Sequence, residues 1–334
     1  MIASGDSHGK FVTKTYPRPM KGAMDAGLCA ETCLAVLREE QNDDGGWGYH
    51  FESQSRVEPT CWALCALSAA QNSSDYSTAL SRAQRYLLAS QQKEGFWTAS
   101  PEMKTGNWVT SLACAVLSLQ VETQRAALAG LAWLCQDYPL DSSPWRRFLR
   151  RLRSNPNTSL HDDSYRGWGW TPQTSSWVEP TAFALLAMQQ FPAEHLPIVA
   201  SRRRMLAVGL LYDRMCPGGG WNCGNPRVYG VDGEPLVLPT SWALLALRMS
   251  PEHENKSLSL TWLEAEISKI QSPASLAVAT MCLQAYGKGS PAGRRNLEDC
   301  ANEELLCEGV HVLAWISLAL SPQRAWPARV GVPR

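Results

Sequence analysis

Pro59-Thr-Cys-Trp-Ala-Leu-Cys-Ala-Leu67 decides the fold, because the same pattern returns along the chain. It recurs as Val109-Thr-Ser-Leu-Ala-Cys-Ala-Val-Leu117, Pro180-Thr-Ala-Phe-Ala-Leu-Leu-Ala-Met188 and Pro239-Thr-Ser-Trp-Ala-Leu-Leu-Ala-Leu247. Two weaker copies begin at Pro273 and Val312. Each copy is apolar on every side, which predicts a helix buried on all faces. Pro suits the first helical turn, where its missing N–H costs nothing.

A second element precedes these copies. Gln41-Asn-Asp-Asp-Gly-Gly-Trp47, Gln91-Gln-Lys-Glu-Gly-Phe-Trp97, Arg166-Gly-Trp168 and Gly218-Gly-Gly-Trp221 each read as a helix end followed by a turn. Gly stops the helix by taking the left-handed conformation, and Trp covers the helix end, so both are structural. The helices before the turns (Ala23 to Glu39, Tyr76 to Gln91, Ser201 to Arg214) carry charged stripes and belong on the outside. Inner and outer helices therefore alternate in about six pairs, enough to close a barrel. The predicted architecture is all-α: an (α/α)6 toroid in one domain over residues 23–322. An N-terminal extension covers 1–22, an insertion 137–163 and a tail 323–334.

The 334 residues are 45% apolar and 19% charged, which gives ample core and no sign of disorder. Thirty-one basic residues balance 31 acidic ones, so no long-range field gathers nucleic acid. The clusters Arg202-Arg203-Arg204 and Arg146-Arg147 with Arg150-Arg151 read as solvated helix faces. No apolar stretch follows Met1 and none is long enough to span a bilayer, so a cytoplasmic location is expected. The 11 cysteines, several within apolar helices, then read as buried thiols rather than a disulfide framework.

On these turns and helices the chain resembles the superfamily of squalene-hopene cyclases, oxidosqualene cyclases and protein prenyltransferase β-subunits. Gln91 to Trp97 is similar to that family's QW motif, and Gln41 to Trp47 is a near variant. The resemblance implies the toroid; it does not fix the reaction, since one fold hosts unrelated functions. Class II cyclases place a catalytic acid at the start of an inner helix in an Asp-x-Asp-Asp-Thr motif. Arg56-Val-Glu-Pro-Thr60 and Trp177-Val-Glu-Pro-Thr181 stand at that place, and Glu58 and Glu179 match the acid. The flanking carboxylates are absent.

Aligning the inner helices gives a column at the barrel mouth: Glu58, Trp108, Glu179, Leu238, Ser272 and His311. In a closed ring the first and last inner helices are neighbours, so Glu58 and His311 are expected to meet. A carboxyl group in an apolar pocket tends to stay protonated, and an imidazole can orient it or supply its proton. One turn deeper lie Trp62, Phe183, Trp242 and Trp315, which with Trp108 are the candidate substrate-binding residues, because aromatic faces stabilise a cation. The competing assignment makes Glu58 and Glu179 helix-start residues and the aromatics core packing.

The leading expectation is a class II-type terpene cyclase (isomerase or intramolecular lyase class) acting on an isoprenoid or another apolar small molecule. It would need neither cofactor nor metal and would not bind nucleic acid; peripheral membrane contact and oligomeric state stay open. One alternative is a non-catalytic toroid that holds a lipid or a peptide. The other is a zinc-dependent prenyltransferase-like protein, in which His311 would need partners such as Cys223 and Asp232, since Leu238 and Thr240 occupy the expected ligand positions. Asp162-Asp163 looks like a diphosphate-metal pair, but adjacent acids in a polar insertion are usually solvated.

Overall fold

A computed structural model describes residues 26–137, 139, 145, 148, 162, 164–289, 291–300 and 309–321. Among them twelve α-helices alternate between two layers. The outer helices are α1 (Ala26–Glu39), α3 (Ser77–Ala89), α5 (Gln124–Gln136), α7 (Ala200–Asp213), α9 (Glu254–Glu266) and α11 (Pro291–Cys300). The inner ones are α2 (Val57–Ala69), α4 (Val109–Leu117), α6 (Val178–Gln189), α8 (Val237–Leu247), α10 (Pro273–Ala285) and α12 (Val310–Leu320). Each inner helix packs on the next, and α12 returns to pack on α2 and α1, so the ring is closed. One short hairpin, β1 (Arg227–Val228) and β2 (Val231–Asp232), lies in the loop before α8.

The repeated turns fasten the two layers together. The indole N–H of Trp47 donates to the carbonyl of Leu37, and those of Trp97 and Trp168 donate to Leu87 and Leu134, at 2.7, 2.7 and 2.9 Å. Trp221 makes the same bond to Leu211. These carbonyls belong to the last turns of outer helices, where four C=O groups lack an intrahelical partner. The main-chain N–H of each Trp then donates to a threonine Oγ1 in the first turn of the next inner helix. Thr60, Thr110, Thr181 and Thr240 accept at 2.9, 3.0, 3.0 and 2.8 Å. Each threonine also donates back to the carbonyl of its Trp. The Pro-Thr that recurs in the sequence is thus the inner half of a joint.

The glutamines extend this joint sideways. Gln41 Nε2 donates to the carbonyls of Gly45 and Ala79, and Gln91 Nε2 to those of Gly95 and Ala126. Each turn is thereby tied to the first turn of the next outer helix. The contact is too close for a side chain: a Cβ on Gly45, whose φ is +91°, would lie 2.6 Å from the carbonyl oxygen of Arg82.

The third joint shows what the stretch 137–163 does to the repeat. Trp168 reaches Leu134 across 34 residues and makes the bond that the others make across ten, so the joint survives the insertion. Six residues before Trp168, where Gln41 and Gln91 stand before Trp47 and Trp97, the residue is Asp162. Arg203 of α7 stands in instead, with its guanidinium 4.1 Å from the centre of the Trp168 ring and donating to the carbonyls of Asp137 and Gly167. This corrects the solvated reading of Arg203, which is 2% exposed: its charge is held by an aromatic face and two carbonyls. Most of the insertion, like the expected extension 1–22 and tail 323–334, lies outside the described residues. Within the insertion, the exposed rings of Trp145 and Phe148 stack at 5.7 Å.

Among the described residues nine cysteines are free thiols, eight of them buried. No helix there is long and apolar enough to cross a membrane. Because Trp97 is fully buried and closes one joint, Trp97→Ala is expected to lower unfolding free energy by about 3–5 kcal/mol, read by urea denaturation.

Candidate active site

All six inner helices start at the same end of the barrel, where the long loops after the Trp turns also lie. Glu58 and Glu179 occupy the first turns of α2 and α6, His311 the first turn of α12, and Trp108 the residue before α4. Leu238 is in the first turn of α8, and Ser272 caps α10 by accepting from the Ser275 N–H.

Glu58 and His311 are not hydrogen-bonded to each other; Tyr49 stands between them. The loop after Trp47 crosses the start of α2 and is pinned to α12 by the Val310 N–H donating to the Tyr49 carbonyl at 2.9 Å. From there the Tyr49 hydroxyl donates to Glu58 Oε2 at 2.5 Å, and its ring meets the His311 ring edge-on at 6.1 Å. Ring closure brings the two helices together as expected, but the loop fills the gap. Tyr49 was missed because it sits two residues beyond a structural Trp, outside any repeat; its place in the loop over α2 was the available signal.

Burial pushes the Glu58 carboxyl above its ordinary value, and the hydrogen bond from Tyr49 opposes that shift. Burial and the adjacent Glu58 raise the Tyr49 phenol, which stays a donor. His311 is shifted down by burial and by neighbouring His50, so its imidazole is neutral at neutral pH, and its buried Nδ1 has no hydrogen-bond partner among the described residues. Burial alone raises Glu179 to about 7. The Cys223 loop lies beside it, with the Val178 N–H donating to the Cys223 carbonyl at 3.2 Å.

The helix-start alternative has two parts: a carboxylate in the first turn is favoured by the helix dipole, and it can also accept first-turn N–H groups. Among the described residues neither accepts such an N–H: Glu58 accepts from Tyr49, and α2 and α6 begin without a side-chain cap. Both residues are half-buried in the first turns of their helices, where the helix dipole still favours a carboxylate.

Below the mouth the aromatic residues form one layer. Trp62 stacks on Trp242 at 5.4 Å and meets Trp315 edge-on at 5.4 Å; Phe183 lies 5.1 Å from Trp242. All four are nearly or fully buried, and Trp62, Phe183, Trp242 and Trp315 come from four different inner helices. Half-buried Trp108 stacks on Phe183 at 5.3 Å and carries Trp170 at its edge. His311 rests against Trp315 at 5.1 Å, and the buried indole N–H of Trp315 has no partner among the described residues.

Among the described residues no three His, Cys, Asp or Glu side chains converge as metal ligands. Asp232 is paired with Arg227 in the hairpin, and Asp162 is exposed. Asp163 lies outside the described residues. A separate cleft of about 400 Å³, lined by Asp43, Asp44, Arg82, Arg85 and Tyr86, lies between the first turn and α3, outside the ring.

Glu179 gives a pH-dependent signature. Its folded pKa of about 7 exceeds its ordinary 4.5, so the folded state holds the proton more tightly and stability falls as pH rises from about 4.5 to 7. Glu179→Gln is expected to remove that fall, at most about 3 kcal/mol at about 1.4 kcal/mol per pKa unit, read from melting curves at pH 5 and pH 8.

Residues 23–110 match the squalene-hopene cyclase C-terminal domain family. Over 85 residues the chain is 39% identical to lanosterol synthase of Mus musculus; that segment is 22% of this chain and 11% of the mouse protein. The fold is similar to that of a protein from Actinoplanes, with TM-score 0.58 and 16% identity over 89% of this chain and 98% of that one. It is also similar to a variant of the type II terpene cyclase MstE from Scytonema in complex with its substrate, geranylgeranyl dihydroxybenzoate. There the TM-score is 0.54 and identity 14%, over 83% of this chain and 78% of that one. An α-1,6-mannanase of Salegentibacter, in complex with α-1,6-mannotriose, has TM-score 0.57 and 10% identity over 89% and 98% of the two chains. At these identities the solved structures speak for the fold alone. The chain is an α/α toroid whose residues 23–110 are similar to the squalene-hopene cyclase C-terminal domain.

Proposed function

We propose that the chain is a class II-type cyclase that protonates an isoprenoid at the barrel mouth, with Glu58 as the acid. The observation that carries this reading is the half-buried Glu58 carboxyl, held by Tyr49 one helical turn above an aromatic layer. The type II cyclase with this fold takes a prenyl chain on an aromatic head as its substrate, which supports an isoprenoid here. The mannanase neighbour shows that the fold also serves other chemistry, so the reading rests on the side chains at the mouth.

In the first step the Glu58 O–H bond breaks and its proton adds to a terminal alkene carbon. The electrons of the O–H bond stay on Glu58, whose carboxylate the Tyr49 hydroxyl stabilises. The tertiary cation left on the neighbouring carbon faces the Trp and Phe rings, whose negative faces favour it over the neutral alkene. A second alkene then supplies its π electrons to close the ring, and loss of a C–H proton to a base ends the sequence. We assign the return of a proton to Glu58 to His311, whose ring meets that of Tyr49 edge-on, and take Glu179 as a second carboxyl on the same rim. The sequence needs no redox cofactor, and the reaction belongs to isomerase-type terpenoid biosynthesis, for which we propose a cytoplasmic setting.

This site departs from the Asp-x-Asp-Asp-Thr pattern in a way that changes how the acid is tuned. Arg56 and Pro59 replace the flanking carboxylates, and Arg56 turns to Glu102 at 3.5 Å. Burial and a phenol then set the acidity of Glu58.

Glu58→Gln keeps the shape but has no transferable proton, so cyclic product from prenyl diphosphates or linear terpenes should fall about 10²–10⁴-fold with melting unchanged. Equal product from both proteins would remove Glu58 from the mechanism. No product from either, with ligand still bound, would favour the binding toroid. Tyr49→Phe takes away a donor that favours the carboxylate, so Glu58 should hold its proton to higher pH, moving the alkaline limb of the rate profile upward. An unmoved limb would exclude Tyr49 from tuning the acid.

A further inference from the structure

We infer that the cleft between the first turn and α3 is a binding site for a small zwitterion, a molecule carrying both an ammonium group and a carboxylate. The site is separate from the barrel mouth and does not depend on the cyclase reading.

The cleft holds about 400 Å³, within the range of about 300–1,000 Å³ over which small-molecule sites run. Asp43 and Asp44 of the turn form one wall, and a single face of α3 forms the other, where Arg82, Arg85 and Tyr86 follow at helical spacing. Both walls are fixed from behind. Arg82 donates to the carbonyls of Asn42 and Asp43 at 2.8 and 3.1 Å. One oxygen of Asp44 accepts from the Gly46 N–H and the Ser55 hydroxyl at 3.0 and 2.7 Å. These bonds go to neutral groups and leave the charges unmatched. Among the described residues no ion pair joins either aspartate to either arginine, and the Asp43 carboxylate and the Arg85 guanidinium make no hydrogen bond. Burial and nearby Asp44 raise the Tyr86 phenol, which stays a hydrogen-bond donor beside them.

The repeat does not require this arrangement. The close contact of Gly45 with Arg82 returns at the second joint as Gly95 against Ala129, and at the fourth as Gly219 against Leu258. Counting from those contacts, Ala132 and Thr261 stand where Arg85 does, and Trp133 and Trp262 where Tyr86 does. The turns there carry Lys93-Glu94 and Pro217-Gly218 in place of Asp43-Asp44. At the second joint Phe96 packs on Trp133 at 5.2 Å, whereas Gly46 stands in the place of Phe96 at the first and brings no ring to Tyr86. Of these three joints, the first alone sets two acids against two arginines across open space. A molecule with one charge could pair with one wall only. A zwitterion brings its ammonium to the aspartates and its carboxylate to Arg85, whose guanidinium can hold it with two parallel N–H bonds.

Calorimetric titration of the full chain with glycine, γ-aminobutyrate and ε-aminocaproate, whose two charges lie progressively further apart, tests this. Methylammonium and acetate, each bearing one of the charges, are the controls. At least one of the amino acids should bind at least about tenfold more tightly than either control, and added salt should weaken that binding. Asp43→Asn and Arg85→Gln change exposed side chains, so melting should be unchanged, and each should weaken the same amino acid at least about tenfold. Binding that is equal in wild type and both variants would overturn the site, as would no binding by any probe. A loss in only one variant, or controls that bind as tightly as the amino acids, would show a site for a single ion and overturn the zwitterion.

Discussion

The structure depends on the reciprocal hydrogen bonds between a turn tryptophan and the threonine that opens the next inner helix. Each such Trp also caps the carbonyls of the outer helix behind it, so one residue satisfies groups in both layers. Both partners are buried, and losing either would strand polar groups away from water. Four copies of this joint fix where inner helices begin, and therefore where their first-turn side chains point. The mouth of the barrel is a by-product of that bookkeeping: Glu58 precedes Thr60 by two residues, and Glu179 precedes Thr181 by two.

The fold was legible because its joints repeat. Gly-x-Trp and Pro-Thr each recur at a constant place, and all-round apolarity separates the inner helices from the outer ones. The role of Trp47, Trp97, Trp168 and Trp221 could be read the same way, since a Trp after a helix-stopping Gly has a helix end to cover. What could not be read was anything that happens once. Tyr49 belongs to no repeat, and only the closed ring shows that its loop lies between α2 and α12. Arg203 looked like one of three exposed arginines because nothing in its own helix shows that a glutamine is missing from a turn far away in sequence. Likewise the aromatic column could be aligned, but the alignment could not tell a lined pocket from a packed layer. That distinction depends on rings meeting across the barrel axis.

The mouth combines features that a simple helix bundle has no reason to keep. Two half-buried carboxyl groups make no helix-capping bond among the described residues, the His311 Nδ1 and the Trp315 indole N–H have no partner among them, and these groups lie at or just below the mouth. Unsatisfied buried polar groups cost stability, so they mark places where something besides stability is served. Structures similar in fold include a terpene cyclase and a mannanase, so the ring alone does not set the chemistry. Here the inner helices present an acid over rings, an arrangement suited to making and holding a carbocation.

The central claim is that the reaction begins when the protein donates a proton to carbon. Running the reaction in deuterium oxide with a linear prenyl substrate, and analysing the cyclic product by mass spectrometry and carbon NMR, tests it most directly. One deuterium is expected in each product molecule, on the carbon that was the CH of the terminal alkene. Product without that deuterium, or product formed with release of diphosphate, would show that the cation arises by another route and would contradict it.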